Sequence, residues 1–131
     1  MTVGALVAVN PTGDVIDPCT GQVIAGTRPD RGQSFTVVVN HLKSKSPDGA
    51  TGADVDQLDG QAAWNDTRTR AADYLVNSWI PSDPTGQADP DFLIIGDLNA
   101  YRGETPISTL RNAGYRDLHR IFEGADAHSF V

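Results

Sequence analysis

"DFLIIGDLNAY", Asp91 to Tyr101, is the stretch on which the reading of this chain turns. Phe92 to Ile95 is an unbroken apolar run, the pattern of a strand covered on both faces. Asp97 and Asn99 follow at once. A carboxylate is costly to remove from water, so an acid at the end of a buried strand needs a reason to be there. The reason sought below is a site at the strand's carboxyl end.

Working outward, "SFTVVVN" (Ser34 to Asn40) is rich in β-branched residues and is predicted to be a strand. It too ends in polar chemistry, at Asn40 and His41. Between the two strands, Ser44 to Gly60 is polar and lacks an apolar period, which predicts a long exposed loop. From Asn65 the period becomes helical. Asn65 or Asp66 is the expected N-cap, Arg68, Ala72, Leu75 and Trp79 share a face, and Pro81 is expected to end the helix. Beyond Tyr101, a helix of about two turns is predicted, with Thr105 at N-cap, Pro106 at N1 and Gly114 at C′. Tyr115, Leu118 and Phe122 suit a short helix or a wrapped loop. Nearer the amino end, Val3 to Asn10 reads as a strand, and the pieces around Asp17, Pro18 and Gly21 read as a hairpin. "HSFV" at the other end has the look of a strand beginning.

A chain of 131 residues is enough for one domain with a core of its own. No apolar run approaches the roughly 20 residues of a membrane span, and no charged leader with an apolar stretch marks a signal peptide. No membrane partner is expected. Cys19 is the only cysteine, so it has no partner for an internal disulfide. The formal net charge of -7 disfavours a general polyanion-binding surface, so any phosphate site must be positive locally. Lys43, Lys45, Arg68, Arg70 and Arg102 fall in or near the informative segments.

Two strands separated by a helix form a βαβ-like pattern. If the strands are parallel neighbours, Asn40, His41, Asp97 and Asn99 meet at one sheet edge, where ligands bind in open α/β sheets. Asp97 offers a hard oxygen to a divalent cation or orients water. Asn99 offers an amide donor, and His41 a proton or a phosphate contact. That set suits metal-assisted phosphodiester hydrolysis. Acyl transfer fits poorly, because no serine sits on a nucleophile elbow and Cys19 has no evident base. His41, His119 and His128 form no H-x-x-x-H pair of the zinc hydrolases.

"FTVVVNHLKSK", "WNDTRTRAADYLVNSWI" and "DFLIIGDLNAYRGETPISTLRNAGYRDL", in that order, resemble the endonuclease/exonuclease/phosphatase superfamily, the deoxyribonuclease-I-like fold. The resemblance spans about residues 34–131 and is best to secreted bacterial extracellular nucleases. It implies an α/β (α+β) chain forming part of a four-layer α-β-β-α sandwich with two mixed β-sheets. It implies Mg²⁺, with Ca²⁺ or Mn²⁺ as substitutes, and a DNA or RNA substrate. His41 would contact the scissile phosphate or act as general acid, Asp97 would orient water or hold the metal, and Asn99 would stabilise the pentacovalent phosphate beside the same metal. Lys43, Lys45 and Arg68 would bind substrate. An extracellular or secreted location for the full-length protein is implied as well.

The family's early metal-binding Glu and late Asp-His pairs have no counterpart in this sequence, and residues 1–33 do not follow its upstream pattern. The expectation is therefore a partial domain, inactive by itself. A phosphatase or lipid phosphodiesterase on the same scaffold, and a non-catalytic binding module, are the alternatives.

Overall fold

The computed structural model of the chain describes residues 15–16, 23–25, 35–86 and 90–124. The strand expected at Val3 to Asn10, Cys19, His128 and the "HSFV" segment lie outside the described residues. Val15–Ile16 (β1) and Val23–Ala25 (β2) pair antiparallel, as the hairpin reading required.

Thr36–His41 (β3) and Phe92–Asp97 (β4) form a parallel pair in unbroken register, from Thr36 opposite Phe92 to His41 opposite Asp97. A parallel pair cannot be closed by a tight turn and needs a long connection. Here that connection carries the Gly52–Asp54 turn and the helix Asn65–Tyr74 (α1). The protein is thus mixed α/β. Thr105–Asn112 (α2) and Leu118–Glu123 (α3) follow β4.

The core lies between one face of the β3–β4 pair and the helices. Val38, Ala72, Leu75, Val76 and Leu110 are buried together, with Trp79, Ile80, Phe92, Ile94, Leu98 and Tyr115 packed around them. The predicted inner face of α1 is therefore the observed one. The other sheet face differs from expectation. Val37 and Val39 are 45% and 60% exposed, and Phe92 to Ile95 are only half-buried. The helices of the described residues cover one face of the pair and leave the opposite face of β3 open at Val37 and Val39.

Helix ends show where local signals were outcompeted. Trp64, not Asn65 or Asp66, occupies the N-cap position of α1, with a left-handed backbone and no side-chain cap. The cap comes from 13 residues upstream, where Asp54 accepts from the Thr67 N–H at 2.8 Å and the Thr67 hydroxyl at 2.7 Å. At the other end the helix widens to a π turn over Leu75–Trp79 and tightens to a 3₁₀ turn over Ile80–Ser82. Pro81 sits inside that last turn, where its missing N–H costs little. At α2 the N-cap is Glu104, which moves Thr105 to N1 and Pro106 to N2. Gly114 holds the C′ position as predicted, at φ 99°. The Gly114 and Tyr115 N–H groups return to the Arg111 and Leu110 carbonyls, a Schellman closure. The segment after Tyr115 resolves into α3, with Asp117 accepting from Arg120 N–H at its N-cap.

Candidate functional site

Because β3 and β4 are parallel and in register, their last residues emerge side by side. His41 Nε2 lies 3.9 Å from Asp97 Oδ2, with the two side chains 78% and 58% exposed. The Leu42 N–H donates to the Asp97 carbonyl at 2.9 Å, extending the ladder one step past the strands.

Gly96 makes this approach possible. Its φ is +115°, and a Cβ there would lie 2.0 Å from the Asn40 carbonyl oxygen. No residue with a side chain fits between β3 and the carboxylate that follows. Beyond Asp97, the Asn99 backbone turns left-handed at φ 45°, a conformation that asparagine tolerates better than most residues. The Asp97 carboxylate stabilises the turn by accepting from the Asn99 N–H at 2.9 Å. Asn99 Nδ2 then donates to the Leu42 carbonyl at 3.0 Å, tying the loop after β4 to the loop after β3. An amide has two donor hydrogens, so this bond uses one and leaves the second.

The three basic candidates divide sharply. Lys43 is exposed, its ammonium 4.8 Å from the centre of the Trp64 ring. It also donates to the Ser44 hydroxyl at 3.4 Å, an exposed contact that an anion can replace. Lys45 is drawn inward instead: its ammonium lies 2.5 Å from Glu104 Oε1 and 4.0 Å from the centre of the Tyr101 ring. Arg68, expected to contact substrate, is fully buried. Its guanidinium donates to the carbonyls of Lys43, Ala63 and Gln61 at 3.2, 2.8 and 2.8 Å. Those carbonyls belong to irregular backbone with no ladder to satisfy them, and Arg68 takes up that task. Burial pushes its guanidinium below the usual range, while the nearby carboxylates of Glu104 and Asp54 oppose the shift.

Arg102 pairs with Asp117 at 3.3 Å, and Arg70 lies 3.9 Å from Asp66. His119 bonds to Glu123 on α3 at 2.9 Å.

Glu104 and Gln61 carry structural roles that sequence reading did not assign. Glu104 is 5% exposed. Gln61 Oε1 accepts from both the N–H and the hydroxyl of Thr105. Glu104 holds the N-cap position of α2 without a side-chain cap bond, and its pairing with a lysine 59 residues away has no local signal in the sequence.

Among the described residues no group of three His, Cys, Asp or Glu side chains is gathered to hold a metal ion. Asp97 brings one exposed carboxylate. That donor set fits Mg²⁺ held mostly by water and phosphate oxygens, and does not fit an all-protein cage. Among the described residues no helix is long and apolar enough to cross a membrane. Comparison of the chain with protein-family models, with curated proteins and with solved structures returns no match.

Proposed function

We propose that the carboxyl edge of β3 and β4 serves metal-dependent hydrolysis of phosphodiester bonds in nucleic acid, in the manner of the endonuclease/exonuclease/phosphatase superfamily that the motifs resemble. The observation that carries this reading is the pairing of His41 with Asp97 at one register position, with Asn99 tied across to the same edge. The imidazole and the carboxylate lie in solvent at this edge, and the half-buried Asn99 amide is tied to the loop beside them.

In this reading His41 donates to a phosphate oxygen or to the leaving oxygen as the bond breaks. Asp97 turns an attacking water toward phosphorus. The second Asn99 amide hydrogen meets a non-bridging oxygen on which charge accumulates. Lys43 adds positive potential in an otherwise acidic chain. Mg²⁺, when bound, would supply Lewis-acid neutralisation of the phosphate, and Asp97, with Asn99 beside it, would hold the ion. DNA or RNA is the proposed substrate. The open Val37 and Val39 face fits a second sheet, completing the four-layer sandwich that the resemblance implies. A secreted full-length protein belongs to the same reading.

The described residues bring one metal carboxylate and no second histidine beside His41 and Asp97. The chain by itself is therefore expected to bind Mg²⁺ and phosphate while turning over little substrate. Thermal melting with and without Mg²⁺ tests the binding half: a rise in Tm that Asp97→Ala abolishes supports the site. No Mg²⁺ effect, together with His41 resonances that ignore an added oligonucleotide, would leave a non-catalytic module as the better reading. Strong Mg²⁺-dependent plasmid nicking would instead show that the catalytic set is more complete than proposed. Parallel assays on inositol phosphate and sphingomyelin separate a phosphatase or a lipid phosphodiesterase from a nuclease.

A further inference from the structure

Three irregular segments meet beside the β3–β4 edge: the one leaving β3, the one entering α1 and the one entering α2. Side chains tie them together. Arg68 of α1 binds the Lys43, Ala63 and Gln61 carbonyls, and the Gln61 side chain binds the first residue of α2. The link between the β3 loop and α2 is Lys45 to Glu104.

The pair is unusual for its burial. The Lys45 and Glu104 side chains are 20% and 6% exposed, whereas the His41–Asp97 pair lies open to solvent. Glu104 Oε2 is buried with no hydrogen-bond partner. A half-satisfied buried carboxylate is a poor way to add stability, since desolvation offsets much of the attraction. Its return is geometric. Glu104 fixes Lys45, and Lys45 ends the short segment that begins at Leu42, whose carbonyl receives the Asn99 amide.

We infer that Glu104 is a positioning residue: through Lys45 it holds the Leu42 to Lys45 segment so that the Leu42 carbonyl fixes the rotamer of Asn99 beside Asp97. Lys45 is then a strut and not a phosphate ligand. The inference rests on the proposed function for its meaning, since the amide it orients is the one assigned to the phosphate.

The test is made on the full chain, with the Asn99 side-chain amide observed by NMR. Glu104→Gln keeps the shape and a hydrogen-bond acceptor but removes the charge. Lys45→Met/Glu104→Gln removes both charges, so the test still reads out if Lys45, left without a counter-charge, keeps Glu104→Gln from folding. The expected result is a folded double variant in which the Asn99 amide protons shift and lose their protection from solvent exchange, with a smaller change of the same kind in Glu104→Gln. An unmoved Asn99 amide in the folded double variant would overturn the inference and leave the pair as packing alone. Adding dimethyl phosphate to the unsubstituted chain keeps the two ideas apart. Failure to perturb His41 or Asn99 counts against the proposed function, whatever the variants do to the amide.

Discussion

His41 and Asp97 occupy one rung of the β3–β4 ladder, Nε2 and Oδ2 3.9 Å apart and both largely in solvent. A contact so exposed, an ion pair only when the imidazole carries a proton, contributes at most about 1 kcal/mol. The structural return of Asp97 lies instead in the bond it accepts from the Asn99 N–H. Asp97→Asn keeps an acceptor for the Asn99 N–H, so urea unfolding without metal should differ from the parent by less than about 1 kcal/mol. The Mg²⁺-dependent part of the stability should disappear. Equal Mg²⁺ stabilisation of both proteins would remove Asp97 from metal binding.

Gly96→Ala is expected to be far more damaging than its size suggests. The new methyl would lie 2.0 Å from the Asn40 carbonyl oxygen, on a backbone at φ +115°. Strain of that kind costs about 1–3 kcal/mol before the clash is added. Denaturant unfolding should show a loss of at least about 2 kcal/mol. A near-neutral result would mean that β3 and β4 separate easily at this rung.

Lys43 and Lys45 should behave differently toward an oligonucleotide, although they are alike in sequence. Exposed Lys43 is free to displace a counterion, and Lys43→Ala should lower the salt dependence of single-strand binding by about 0.7 in log–log slope. The Lys45→Met/Glu104→Gln variant removes two charges that already neutralise one another. Its slope should equal the parent's. Fluorescence anisotropy across a salt series reads both, and identical slopes in all three proteins would exclude Lys43 from phosphate contact.

Acid should loosen the entry to α1. Bonds from the Thr67 hydroxyl and then the Thr67 N–H hold the Asp54 carboxyl below its ordinary value of 3.8, against the small opposing effect of burial. A group depressed in the folded state contributes stability above its unfolded pKa and loses it as pH falls through the folded one. Thermal melts from neutral to below pH 4 should therefore fall more steeply for the parent than for Asp54→Asn, whose side chain does not titrate. Parallel acid limbs would show that the Thr67 contacts are not retained in solution.

Much of this arrangement was legible along the chain. The apolar run at Phe92 to Ile95, the β-branched Thr36 to Val39 and the helical period through Arg68, Ala72 and Leu75 are local patterns, and each formed the predicted element. The Schellman close at Gly114 is local too, since it depends on one residue free to take a positive φ. Sequence also named His41, Asp97 and Asn99, because a strand that ends in polar chemistry announces its end wherever it lies.

Tertiary structure decided the rest, through contacts between residues far apart in the chain. Only the parallel register put His41 opposite Asp97. Only the close approach of Asn40 shows why residue 96 is glycine. The caps moved because Asp54 and Gln61 reached the helix starts from outside, outcompeting Asn65 and Thr105. Arg68 and Lys45 look like phosphate ligands in a one-dimensional reading, where a basic side chain is simply positive. In three dimensions, unsatisfied carbonyls and a buried carboxylate lie nearer to them than solvent does, and a buried polar group must find its partner inside the protein.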